Sequence, residues 1–181
     1  GKTHAYLDVA ALPAVGIALL DPRPAWVFSG DGTAMLWANE AGARFFGADD
    51  MGTLLERRFG KTNPVVKQIS RLARILPTAS PRLEILRFAF DFSVSALPAA
   101  CRRINLPDGK GAVFAVSANG AQAESIVSRA ENLADTIAGT DCLVAIIAAD
   151  GRIIGASGGF EALAPASATI DALADSVSSG K

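Results

Sequence analysis

The amino-acid sequence predicts an α+β fold, one antiparallel sheet with its helices grouped on one face, and three observations carry that expectation. Two apolar runs of strand length come early, several helical segments follow, and three more strand-like runs end near Ser117. The turns between neighbouring runs are built from Asp and Gly, which suit tight hairpins. Half of the 181 residues are apolar, enough to bury a core.

Thr3 to Leu20 reads as a short helix followed by an apolar lead-in, set off by Asp21-Pro22-Arg23-Pro24. Its apolar part, Val9 to Leu20, is too short for a bilayer span and is interrupted by Pro13, so it is read as packed protein. Asp8 and the lack of a basic lead argue against a signal peptide.

Val27 to Ser29 and Ala34 to Ala38 form the first predicted hairpin around Gly30-Asp31-Gly32-Thr33. Asn39 then caps a helix, Glu40 suits its positive end, and Gly47 stops it. Asp49-Asp50 caps a second short helix over Met51 to Phe59, broken by Gly60-Lys61-Thr62-Asn63-Pro64. Val65, Val66, Ile69, Leu72, Ala73, Ile75 and Leu76 recur at helical spacing up to Pro77. Leu83 to Phe90, about Ala100 to Leu106, and Ala112 to Ser117 read as the three late strands, the last two joined by Pro107-Asp108-Gly109-Lys110-Gly111.

The first grammar returns later in the chain. Leu143 to Ala149, Asp150-Gly151, Arg152 to Ala156 and Ser157 repeat strand, turn, strand and cap, with Phe160 and Leu163 placed to begin a helix. A repeat so widely separated suggests two copies of one domain. Between them, Ile126, Ala130, Leu133 and Ile137 are spaced four, three and four, over about two heptads. A seam between two chains and a helix packed on its own sheet both fit that spacing.

The wording of the first hairpin, Pro24-Ala25-Trp26 before the turn and Trp37-Ala38-Asn39-Glu40-Ala41-Gly42-Ala43 after it, resembles the PAS sensory domain family, and within it the alpha-proteobacterial cell-cycle histidine kinases of the PleC/DivJ/PdhS group. The resemblance covers most of Pro24 to Ala118 and the opening of a second copy. It implies a five-stranded antiparallel sheet with helices on one face, flanked by N- and C-terminal helices. The expected organisation is a lead-in over 1–21, a PAS domain over 22–118, a linker helix of the signalling kind over 119–140, and the truncated start of a second PAS-like domain over 141–181. The chain ends read as those of a piece of a longer protein, with order over Ala164 to Lys181 left open.

No catalytic constellation is legible. Gly30-Asp31-Gly32-Thr33 lacks the lysine of a phosphate loop and lies between strands. His4 is the sole histidine, so neither a serine triad nor a phosphoacceptor helix is recognisable. Cys101 and Cys142 are far apart in apolar surroundings, which favours a reducing, cytoplasmic compartment and no metal site. With 17 basic and 18 acidic residues there is no bulk charge for nucleic acid, and Arg57-Arg58 and Arg102-Arg103 read as solvated pairs.

The resemblance implies a sensory and dimerisation region of a two-component histidine kinase that relays ligand or partner binding to a downstream kinase module. A ligand-free protein–protein interaction scaffold is the alternative. It implies a homodimer through Ile126, Ala130, Leu133 and Ile137, and a phosphorelay to a DivK-like response regulator through the parent kinase. Haem-binding relatives use a histidine on the long helix, and flavin photoreceptors an Asn-Cys-Arg motif. This chain has neither, so no cofactor is expected. A small apolar or carboxylate ligand would be lined by Phe45, Phe46, Leu72, Ile75, Phe88 and Phe114, with Asn39 and Arg87 as polar contacts. Trp26 and Trp37 fit either partner anchoring or sheet packing.

Overall fold

The computed structural model describes residues 2–90, 93–119, 125–139 and 142–160, and the chain divides into two compact units, 1–123 and 124–181. In the first unit, helices α1 (Lys2–Ala10) and α2 (Pro13–Gly16) precede strands β1 (Ala25–Ser29) and β2 (Met35–Ala38). Helices α3 (Glu40–Phe45), α4 (Met51–Glu56) and α5 (Pro64–Ile75) follow, then β3 (Arg82–Phe90), β4 (Ser93–Asn105) and β5 (Gly111–Ser117). The five strands form one antiparallel sheet in the order β2-β1-β5-β4-β3, the arrangement that the resemblance implies.

The starts of α3, α4 and α5 are each fixed by a polar side chain that accepts from an otherwise orphaned N–H group. Asn39 accepts from Gly42, Asp50 from Gly52 and Thr53, and Asn63 from Val65. Pro64 opens α5, where a missing N–H costs nothing. The Asp50 carboxyl is held below the usual carboxylate range, first by the Thr53 side chain and then by the backbone N–H groups it accepts from.

The strand expected from Ala100 to Leu106 is longer than the sequence suggests, because β4 begins at Ser93 and passes through Pro98. A proline survives here because of its register. Pro98 lies opposite Ile85, whose own backbone oxygen turns away from β4 to the Gln68 amide. The Pro98 backbone therefore points toward the end of β5, and its oxygen accepts from Ala118 N–H at 2.8 Å, so no bond to β3 is lost.

Strand parity sorts the core into two faces. Trp26, Phe28, Leu86, Phe88 and Cys101 point to the α3–α5 side and are buried. Val27, Trp37 and Phe114, paired across β2, β1 and β5, point to the other side. There α1 covers them, with Tyr6 stacked on Trp37 at 6.0 Å and its hydroxyl donating to Ala38 O at 3.1 Å. The lead-in thus packs on its own domain.

Burial raises the Tyr6 phenol above its ordinary pKa. An ionisation resisted in the folded state stabilises the fold below the unfolded tyrosine pKa of about 10, and that stability is lost as pH rises above it. Wild-type melting temperature should fall between pH 8 and about 10.5 more steeply than that of Tyr6→Phe. The variant should in turn lose about 1 kcal/mol at neutral pH through its missing hydrogen bond. Parallel slopes in thermal melts would contradict this account of the α1 contact.

The second unit contains helix α6 (Ile126–Ala138) and the antiparallel hairpin β6 (Ala145–Ile147) with β7 (Ile153–Ala156). Ser125 caps α6 by accepting from Ser128 N–H, and Gly139 ends it. The hairpin copies the geometry of β1-β2. Gly32 N–H donates to Ser29 O at 2.8 Å and Gly151 N–H to Ala148 O at 2.9 Å, with both glycines at positive φ. Asp31 accepts from Thr33 N–H, and Asp150 from Arg152 N–H, each at 3.1 Å. Residues 161–181, where the rest of a second copy and its Leu163 helix start are expected, lie outside the described residues.

Candidate functional site

The volume between the sheet and α3–α5 is where most of the ligand-lining residues expected from the sequence fall, so its contents bear on what the first unit can hold. Here that volume holds aromatic rings. Trp26 on β1 lies 5.2 Å from Phe45, 6.0 Å from Phe46, 5.7 Å from Phe88 and 6.5 Å from Phe28, measured between ring centroids. Phe88 is 5.3 Å from Phe45 and 5.4 Å from Phe46, and Phe59 closes the far end at 6.0 Å from Phe28. Most of these pairs are tilted or edge-to-face, the arrangement that ring quadrupoles favour.

The chain brings the rings together by pressing α3 onto β1. Gly42 makes that approach feasible, since a Cβ there would lie 2.5 Å from Ala25 O and 2.8 Å from Trp26 Nε1. The Trp26 indole N–H donates to Gly42 O at 3.0 Å, satisfying its one polar atom without a ligand.

Asn39 is likewise occupied. Its side chain is fully buried and works on three segments at once. Its oxygen accepts from Ala25 N–H at 3.0 Å and Gly42 N–H at 2.8 Å, while its amide nitrogen lies 2.9 to 3.0 Å from the oxygens of Ala18, Asp21 and Arg23. The residue fastens the lead-in, the start of β1 and the first turn of α3 together. Its backbone N–H adds a bond to Ala25 O at 3.1 Å. In the second unit Ser157 repeats this lock. Its N–H donates to Val144 O at 2.8 Å and its hydroxyl accepts from Val144 N–H at 2.9 Å. A serine has no amide to tether a preceding segment.

The eight residues expected to line a ligand do not converge. Phe45, Phe46, Leu72 and Phe88 face the interior, where the rings pack on one another. Phe114 lies on the opposite face of the sheet, 6.4 Å from Trp37 and 5.7 Å below the Arg102 guanidinium. Arg87 is on that outer face too and is exposed, while Ile75 at the end of α5 is 49% exposed. Adjacent strand residues such as Arg87 and Phe88 cannot share a face.

The α6 positions divide similarly. Ala130 and Leu133 are fully buried, together with Ala134 and Ala138, whereas Ile126 is 53% exposed and Ile137 half-buried. The packed stripe is Ala130, Ala134 and Ala138, at successive four-residue steps, against β7. Gly155 on β7 lies so close that a Cβ would collide with the Ala130 and Glu131 backbone. Small residues permit that approach, a signal that large apolar residues hide in the sequence.

Two surface clefts flank α1 at the β2 edge. One, of about 330 Å³, is lined by Ala34, Leu55, Glu56 and Arg58 among others, and the second, of about 250 Å³, by Asp8, Val9, Leu106 and Asp108. Both are open, and the Asp108 carboxylate is already held low by the Lys110 ammonium beside it. Burial pushes the Cys101 thiol up to about 12, so it is an unreactive core group. Among the described residues no cluster of potential metal ligands occurs, and no helix is long and apolar enough to cross a membrane.

No family model matches the chain. The cell-division control histidine kinase PdhS of Brucella anthropi is 28% identical over 94% of this chain, which spans 16% of that relative's length. A PAS domain of an HTR-like protein from Haloarcula marismortui superposes with a TM-score of 0.41 at 20% identity, over 55% of this chain and 90% of that one. The PAS domain of BvgS from Bordetella pertussis gives 0.33 at 17% identity, over 56% and 80%. The fold assignment rests on the strand order rather than on these superpositions. With its five-stranded antiparallel sheet and inserted helices the chain has a PAS-like α+β fold, and over 94% of its length it is similar to a segment of a cell-division control histidine kinase.

Proposed function

We propose that the chain is a sensory and dimerisation PAS region of a histidine kinase that works by packing, reading a protein partner rather than a retained small molecule. The observation that carries this reading is the ring cluster of Trp26, Phe28, Phe45, Phe46, Phe59 and Phe88, which fills the interior where a ligand would otherwise lie. Signal then enters as a change in how helices sit on their sheets, and the α6 contact with β7 is the element that such a change would bias. The similarity to a histidine kinase supports a longer parent protein with ATP-dependent autophosphorylation on histidine, and transfer to a DivK-like response regulator is part of the same proposal. A cytoplasmic location fits that role.

Leu133→Glu in the full-length parent tests the reading. A charge forced into the fully buried Leu133 site displaces α6 from its hairpin. The balance of autophosphorylation and dephosphorylation should shift several-fold while the first unit keeps its near-ultraviolet Trp signal. Unchanged phosphorylation, with hydrogen exchange confirming that α6 has come loose, would contradict a role in relay.

A further inference from the structure

The five-stranded sheet has two edge strands, and β3 is the longer of them. Its sequence is mostly apolar, with Ile85 and Phe88 of the types that favour strands, and Leu83 and Ile85 are exposed. An edge of this kind offers a row of backbone N–H and C=O groups to any other strand.

That row is taken up from within the domain. On its inner side β3 pairs with β4, and along its outer side runs α5, with Asn63 reaching Ala89, Gln68 reaching Ile85 and Arg87, and Arg71 reaching Glu84 at 3.6 Å. The Gln68 amide donates to Ile85 O at 2.5 Å, and its oxygen accepts from Arg87 N–H at 3.1 Å. Asn63 spans Ala89 in the same way, at 3.1 and 3.4 Å. These side-chain amides stand where the backbone of an added strand would stand.

Register and charge identify the strand that fits once Gln68 is gone. Ile85, Arg87 and Ala89 send backbone groups outward, and by alternation so does Leu83. Antiparallel pairing about a two-fold axis at Ile85 sets Ile85 opposite the partner's Ile85 and Leu83 opposite the partner's Arg87. Glu84 then faces the partner's Leu86, so no like charges oppose one another between Leu83 and Arg87. Ala89 lies outside this overlap and keeps its bonds to Asn63, whereas Gln68 is a side chain that the pairing must displace.

We propose that Gln68 holds shut a strand-pairing edge on β3, and that the strand admitted when it is withdrawn is β3 of a second copy of this chain. The pairing joins two sheets edge to edge through backbone hydrogen bonds. This inference rests on the first unit alone and is independent of how the parent protein signals.

Gln68→Ala in the full chain tests it, since alanine is the best helix former and the position is only half-buried. Sedimentation should show self-association at least tenfold tighter than that of the wild type. The Arg87 amide gives the local readout. In the wild type it is bonded to Gln68, and it should exchange its hydrogen at the same rate at every protein concentration. In the variant it should exchange faster than in the wild type when dilute and slow down as the protein is concentrated. Adding Ile85→Lys, at a residue 51% exposed, sets a lysine against its own copy at the axis and should return association to the wild-type level. Unchanged association of Gln68→Ala, an Arg87 amide as slow in the dilute variant as in the wild type, or association that Ile85→Lys leaves intact would overturn the proposal.

Discussion

Asn39→Ala should destabilise the first unit by about 3–5 kcal/mol, a large share of the stability of an ordinary domain. The expectation follows from how many groups one side chain satisfies out of reach of water. Removing it leaves the N–H groups of Ala25 and Gly42 without their side-chain acceptor, and it strips the amide from the carbonyls of Ala18, Asp21 and Arg23. Each buried polar group so orphaned costs about 1–3 kcal/mol, reduced where water enters. Two further variants separate the parts. Asn39→Ser should keep the α3 cap and the Ala25 bond, as Ser157 does against Val144, and lose only the tether to the lead-in. Asn39→Asp should keep the cap but set a carboxylate against three carbonyl oxygens, a loss close to that of alanine. Urea denaturation followed by Trp fluorescence ranks the three. A ranking in which alanine is nearly neutral would return Asn39 to the role of a ligand contact.

Trp26→Ala should cost about 3–5 kcal/mol, the range for deleting a large buried aromatic. Trp26 is wholly buried at the centre of the ring cluster, and its N–H is the partner of Gly42 O. Trp26→Phe keeps most of the ring contacts and should lose about 1–2 kcal/mol by orphaning that carbonyl. The alanine variant also makes room. A dry apolar cavity binds a matching apolar molecule, so indole should raise the melting temperature of Trp26→Ala and leave that of the wild type unchanged. Equal stabilisation of both proteins by indole would mean that the native interior already holds vacant space.

Much of the local structure is legible in the sequence because its causes are local. The Asp-Gly turns, the Asn39 and Asp50 caps and the proline opening of α5 each depend on residues within a few positions of one another. The first seven residues of β4 are hidden because Pro98 argues against a strand, and its tolerance depends on where β5 ends and on the turned-away oxygen of Ile85. The second job of Asn39 is hidden for the same reason, since Ala18, Asp21 and Arg23 approach it only after the lead-in has folded back.

The ligand set chosen from the sequence scatters because aromatic character does not reveal a face. Phe88 and Phe114 look equivalent in sequence, yet the register from β3 through β4 to β5 places them on opposite sides of the sheet. Strand parity alone would have separated Arg87 from Phe88. On α6 the spacing of Ile126, Ala130, Leu133 and Ile137 fits a seam or a helix on its own sheet, and the structure buries Ala130 and Leu133 of that set together with Ala134 and Ala138, Ala130 lying against Gly155.

The central claim is that the PAS interior is occupied by the protein's own rings, and native mass spectrometry of the purified chain tests it most directly. The account predicts a mass equal to the bare 18.6 kDa polypeptide or a whole multiple of it, before and after denaturation. A reproducible additional mass that is lost on denaturation would contradict it and identify a retained ligand instead.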